Sequence, residues 1–342
     1  MTRVAYAGVS CRSSNLPFEP GLRFQSHKPA GCAAFLCVLT FERNGFVTSI
    51  HRRSVSFSQN FLTNPRLVDH LLDRSSIGSN DVVYEIGPGD GLITARLARR
   101  CRLVVAVEID PDLAGQLCRR FAGLPHVTIR NEDFLQTRLP MTAYKVFANI
   151  PFNITAAIVT KLITAPWPPD DSYLGIQTEA AQRFLGIPRE SLYAVLMKPW
   201  FEPAIVYRFK RTDFAPAPNV DAVMLRLRKR GPPLVSGSDT QLFRDFVVYA
   251  FTAWQPSLGS TLKGILSRRQ LQQIAGSVGC DFEATPTSLR FEQWLSLFYC
   301  FKGVAGVQAK QAILGSERRL RRQQAGIMKI HRTRTLARHS RR

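Results

Sequence analysis

Between Asp81 and Thr178, short apolar runs rich in β-branched residues alternate with stretches whose apolar positions recur every three or four residues. VVYEI (Val82–Ile86), LVVAVEI (Leu103–Ile109), HVTIRN (His126–Asn131), YKVFANI (Tyr144–Ile150) and SYLGIQT (Ser172–Thr178) predict strands. LITARLARR and PDLAGQLCRRF, lying between them, predict helices. Continuous apolar strands separated by helices imply an α/β architecture, a parallel sheet covered on both faces. Two later runs, PAIVYRF and DAVMLRLR, alternate on one face and predict antiparallel strands that finish the sheet.

The pattern breaks at GPPLVSGS (residues 231–238), where proline, glycine and serine mark a linker. Beyond it, DTQLFRDFVVYAFTAW, LKGILSRRQLQQIAGSVG and SLRFEQWLSLFYCF all read as helices. The expected organisation is a sheet domain over 51–230, a linker over 231–238, a smaller all-helical domain over 239–305 and a basic tail over 306–342. From Glu317 to Arg342 the tail carries ten Arg or Lys and a single acid, so it is expected to be disordered unless bound. Residues 1–50 fit nothing downstream and read as a disordered leader or a start placed too far upstream.

Charge adds the partner. A formal net charge of +21 with a pI near 10.4 points to a polyanion, most often nucleic acid. The seven cysteines form no C-x-x-C pair, and no histidine cluster accompanies them, which predicts a reducing cytoplasm and no metal. No apolar run reaches the roughly 20 residues a spanning helix needs. GCAAFLCVLTF has the length of a signal core but lacks a clean cleavage site, so no membrane association is expected. The chain is expected to be a monomer.

EIGPGDG (Glu85–Gly91) sits between the first strand and a helix, where glycines allow a tight turn and close approach of a ligand. Dinucleotide and methyl-donor sites share such a loop, and its surroundings separate them. Pro88 removes an N–H that a pyrophosphate would use, and Asp90 puts a carboxylate inside the loop. Glu85, Glu108 and Asp133 add acids at the same edge of the sheet. That gathering disfavours a phosphate-rich cofactor and suits S-adenosylmethionine, which carries a sulfonium, an ammonium and a ribose diol. Glu108 is placed for the ribose hydroxyls, and Asp133 for the amine of the cofactor's adenine. Asp110 and Asp112, beside Pro111, read better as helix caps.

NIPFNIT (Asn149–Thr155) ends the fourth strand, at the edge where open α/β sheets bind substrates. An amino group on an aromatic base is a poor nucleophile because its lone pair is delocalised into the ring. Two acceptors on its hydrogens, the Asn149 side-chain oxygen and the Ile150 carbonyl, would free that lone pair toward a methyl group. Pro151 holds Ile150 extended, and Phe152 offers a stacking face worth about 1–3 kcal/mol per base. Methyl transfer to such an amine needs no general base, and orientation supplies most of the rate.

FSQNFL (Phe57–Leu62), EIGPGDG, VEID, NEDF and NIPFNIT occur in the order and spacing of the ribosomal RNA adenine N6-methyltransferases, which the chain resembles from about His51 to Arg230. The resemblance implies a Rossmann-like class I S-adenosylmethionine-dependent methyltransferase sheet. It implies a cofactor pocket of Asn60, Leu62, Gly87, Gly89, Glu108, Ile109, Asp133, Phe134 and Asn149. It implies a catalytic set of Asn149, Ile150, Pro151 and Phe152. Arg52, Arg53, Arg268 and Arg269 are the candidate contacts to RNA backbone, and the aromatics of the helical region read as its core. LMKPWFE, FAPAPNVDAVMLRL and the Arg-rich tail look like the erythromycin-resistance branch, which modifies large-subunit rRNA. The rivals are the housekeeping small-subunit dimethylase, a non-catalytic RNA-binding assembly factor and, if NAD binds, a dehydrogenase. One departure stands out: where some members place a second aromatic, this chain has Ala180, with Phe184 a turn later.

Overall fold

The apolar runs become strands of one sheet. In the computed structural model, which describes residues 60–326 apart from Trp254, a two-residue strand β1 (Phe61–Leu62) precedes the sheet. The parallel strands are β2 (Val82–Ile86), β3 (Leu103–Glu108), β4 (Val127–Asn131), β5 (Lys145–Asn149) and β6 (Asp171–Gln177). β7 (Phe201–Arg208) follows, β8 (Phe214–Ala215) pairs back onto β1, and β9 (Ala222–Lys229) runs antiparallel between β6 and β7. The spatial order is β4-β3-β2-β5-β6-β9-β7. The direction of winding reverses between β2 and β5, and such a reversal opens a crevice at the carboxyl ends of the strands.

Period-two alternation decides which helices each strand touches. Val146 and Ala148 of β5 join the core with Ile158, Val159 and Leu162 of α4 (Thr155–Ile163). Phe147, between them, faces the other side with Val68 and Leu72 of α1 (Pro65–Asp73) and Leu97 of α2 (Leu92–Leu97). α3 (Pro111–Phe121) follows β3, with Asp110 as its cap: Oδ1 accepts from Asp112 N at 2.9 Å and Leu113 N at 3.2 Å. The cap expected at Asp110 is present.

A second core forms where the helical patterns lie. Phe243 and Phe246 of α7 (Thr240–Thr252), with Trp294, Phe298 and Phe301 of α10 (Phe291–Val304), are fully buried. Phe246 stacks on Phe301 with centroids 4.5 Å apart. α8 (Leu258–Leu262) and α9 (Arg268–Val278) complete it.

Two expected boundaries differ. Val195 of α6 (Leu192–Met197) belongs to this helical core although it precedes residue 230. The expected linker is tacked down: Val235 is buried, Leu234 N donates to Pro199 O at 2.9 Å, and Tyr299 Oη donates to Leu234 O at 2.7 Å. The second difference is the tail, which was expected to be disordered from 306. Its described part instead forms α11 (Val307–Ile313) and α12 (Ser316–Gly326). Ile313 is buried in the helical core, and Asp245 of α7 accepts from Gly315 N at 3.0 Å and Glu317 N at 2.9 Å. Buried polar contacts thus secure a helix that has almost no apolar stripe. Residues 1–59 and 327–342, including Arg52 and Arg53, lie outside the described residues. Among the described residues no helix is long and apolar enough to cross a membrane.

Candidate active site

β2, β3, β4 and β5 are parallel neighbours, so Glu85, Glu108, Asp133 and Asn149 all reach the same edge of the sheet. The loop after β2 is built from left-handed glycines, Gly87 at φ 66°, Gly89 at φ 57° and Gly91 at φ 81°. At Gly89 and Gly91 a Cβ would also collide, with the Phe61 ring and with Leu117 respectively, so glycine is required for space as well as conformation.

Glu108 is fully buried, and its carboxylate holds this loop. Oε2 accepts from Gly89 N at 3.1 Å and Oε1 from Asp110 N at 3.0 Å. Each oxygen keeps a second acceptor site. Ile109 follows on the surface, 49% exposed, an apolar side chain left open at the crevice. Asp133 Oδ1 accepts from Leu135 N at 2.8 Å, and Lys161 Nζ clamps the loop through the carbonyls of Phe134 at 2.7 Å and Leu135 at 3.0 Å. The Phe134 ring is packed into the core beneath Lys161, so this residue supports the pocket from below.

Glu85 departs from the picture of a uniformly negative edge. Burial pushes its carboxyl up to about 8; the Thr94 hydrogen bond opposes that, and the charges of Asp90 and Glu108 add to it. At neutral pH Glu85 is therefore mostly protonated. Thr94 Oγ1 lies 2.6 Å from Oε2, while Oε1 has no hydrogen-bond partner.

Asn60, Phe61, Gly87, Asn149, Ile150, Pro151 and Phe152 line a small hollow of about 20 Å³. Asn149 is held by its amide, whose Nδ2 donates to Asn60 O at 2.6 Å, leaving Oδ1 buried and without a partner. This fixes the amide orientation, with the acceptor turned away from the chain's own donors. Asn149 pairs with Gly175 across β5 and β6, and a Cβ at Gly175 would sit 2.8 Å from Oδ1. Sequence reasoning missed Gly175, although a lone glycine inside the SYLGIQT strand is the signal of such a close approach. Among the described residues no donor reaches the Ile150 carbonyl, and Phe152 is half-buried beside it.

The Leu62 side chain is buried in the core with Leu67 and Val68, while its neighbour Phe61 lines the hollow. Phe184, a turn after Ala180, is buried against Tyr193. Arg268 and Arg269 lie exposed at the start of α9 and are not among the residues lining the hollow.

These residues fit S-adenosylmethionine. The buried, unpartnered Asn149 Oδ1 can accept a donor, and the carboxylates of Glu108 and Asp133 at the same edge suit a cation. A larger hollow, of about 840 Å³, lies elsewhere, against α12.

A profile of the family described as ribosomal RNA adenine dimethylase matches residues 50–302. An rRNA adenine N-6-methyltransferase of Saccharopolyspora erythraea is 32% identical over 252 residues, covering 73% of this chain and 66% of that protein. A dimethyladenosine transferase of Candida glabrata is 34% identical over 192 residues, covering 54% of this chain and 60% of its own length. The crystal structure of the 23S rRNA methyltransferase ErmE superposes with a TM-score of 0.66 at 32% identity, covering 71% of this chain and all of that one. The parallel sheet with its glycine loop, the Asn-Ile-Pro-Phe turn and these matches agree: the chain belongs to the ribosomal RNA adenine dimethylase family, the N6-methyltransferases of rRNA adenine.

Proposed function

We propose that this enzyme methylates N6 of a specific adenine in 23S rRNA, giving resistance to macrolide, lincosamide and streptogramin B antibiotics. The observation that carries the chemistry is the buried, unpartnered Oδ1 of Asn149 beside the free Ile150 carbonyl. The choice of 23S rRNA rests on the likeness to ErmE, the whole of whose chain is matched.

S-adenosylmethionine, bound along the carboxyl edge, would supply the methyl group from its sulfonium and be left as the neutral thioether. Glu108 would take the ribose hydroxyls on its remaining lone pairs, Ile109 would pack on the donor's adenine, and Asp133 would receive its amine. Asn60 and Phe61 would cover the methionine end beside Gly87 and Gly89. For the target base, Asn149 Oδ1 and the Ile150 carbonyl each bind one N6 hydrogen, so the lone pair turns out of the ring toward the methyl group. Pro151 fixes the angle between the two acceptors, and Phe152 stacks on the base. The methylated amine leaves as a cation and gives its proton to water. The target adenine is reached only when splayed from its stack.

Arg268 and Arg269 support RNA contact. They sit at the positive end of α9, where cations oppose the helix dipole by about 0.3–1 kcal/mol each, a cost that a phosphate reverses.

The test is expression in a macrolide-sensitive bacterium with mapping of methylated adenines. Methylation of 23S rRNA with resistance supports the reading, and label confined to small-subunit rRNA overturns it. The small-subunit reading is kept because the Candida glabrata dimethyladenosine transferase is as similar in sequence.

A further inference from the structure

The 840 Å³ groove has no part in the chemistry described so far. Its walls are the loop after α4, the start of β7, the end of β9, and helices α7 and α12. The strand register fixes its position. Asn149 pairs with Gly175, whereas Asp171 pairs with Arg228 and Phe201 with Lys229. Lys229 therefore lies about five residues, or about 16 Å, down the strands from the Asn149 level, at the opposite edge of the sheet.

Five cations line the groove, Lys229, Arg230, Arg244, Arg318 and Arg321, against two acids, Asp245 and Glu317. The acids are consumed in building it. Asp245 caps the start of α12, and Glu317 takes Arg244 at 2.6 Å and Arg321 at 2.7 Å. Outside the lining, Glu202 pairs with Arg230 at 2.9 Å and Asp170 with Lys229 at 3.6 Å. Arg318 is exposed, and among the described residues it has no acidic partner. Arg322, also exposed, stands one turn further on the same helix face. Like charges four residues apart destabilise a helix by a few tenths of a kcal/mol, so a buried anchor is holding a face that repels itself. α12 also lies beyond the family profile, which ends at residue 302.

We infer that this groove is a second binding site for the RNA phosphodiester backbone, engaging phosphates distant from the target adenine. The inference rests on the rRNA-methylase reading for the identity of the polyanion. Arg318 contacts phosphate from the groove lining and Arg322 from one helix turn beyond it, while the charges of Arg244 and Arg321 on the floor are balanced by Glu317 and Asp245. An RNA long enough to pass from the catalytic edge around the sheet gains these contacts, while a short one does not.

The test compares the full chain with the Arg318→Glu/Arg322→Glu variant, using fluorescein-labelled RNAs of about 10 and about 40 nucleotides centred on the methylated adenine. Thermal melting should be unchanged, because both side chains are exposed and neither has an acidic partner among the described residues. The expected result is a rise of about ten-fold in Kd for the long RNA, with the slope of log K against log salt falling by about 1.5. For the short RNA, Kd and kcat stay within about two-fold. An unchanged Kd for the long RNA overturns the proposal, as does an equal loss for both lengths. A wild-type chain that binds these RNAs but transfers no methyl refutes the methylase reading, and the same titration still decides the groove.

Discussion

Asp171 and Asn149 stand at opposite edges of one sheet and divide its labour. Asp171, at the start of β6, is saturated: Arg226 Nη2 at 2.6 Å, Arg226 Nε at 3.0 Å, Ser76 Oγ at 2.8 Å and Tyr173 Oη at 3.1 Å all donate to its carboxylate. Asn149, at the end of β5, spends its donor on Asn60 and leaves its acceptor buried and unpaired. A buried acceptor without a partner costs about 1–3 kcal/mol. At Asp171 every contact is internal to the fold, whereas the unpaired Asn149 acceptor belongs to a residue lining the hollow of the candidate site.

The sharpest way to break this contrast is Asn149→Ala. It should lower kcat by about 10²–10³-fold, the loss seen when one preorganised hydrogen-bonding group is removed from a reacting centre. Its melting temperature should fall little, as only the bond to Asn60 is lost; single-turnover methyl transfer and a thermal melt together check this.

Glu85→Gln probes the other unpaired oxygen through stability. The folded-state value of about 8 lies above the ordinary 4.5, so the contribution of the protonated form is complete below about 4.5 and is lost as pH rises through about 8. Between pH 5 and 8 the variant should gain on wild type by on the order of 3 kcal/mol, read from denaturant midpoints. A constant gap across that range would show that Glu85 is already ionised.

Asp171→Asn should act in the opposite sense. Stability falls by about 2–3 kcal/mol because Arg226 loses its charged partner, while kcat per folded molecule is unchanged. Gly175→Ala is the mildest test: its methyl presses on Asn149 Oδ1, and kcat should drop about ten-fold, or about 1.4 kcal/mol, with KM for RNA nearly constant.

Much of this was legible in sequence, for identifiable reasons. Strands such as Leu103–Glu108 announce themselves because a strand buried on both faces must be apolar throughout. Glu108 and Asn149 were legible because the end of a strand fixes where a side chain emerges. Phe61 was not legible as a lining residue because a two-residue strand gives no pattern from which to choose a face. α12 was hidden because ion pairs and a cap dock it, and an Arg-rich stretch carries no apolar periodicity. The neutrality of Glu85 was hidden for another reason: its cause is burial, which only the assembled sheet creates.

The most direct test of the account is a crystal structure of the enzyme with S-adenosylhomocysteine and adenosine. The account predicts that the base stacks on Phe152, with N6 within about 3.2 Å of both Asn149 Oδ1 and the Ile150 carbonyl. An adenosine bound with N6 turned away from these two oxygens, or with Oδ1 still unpaired, would contradict it.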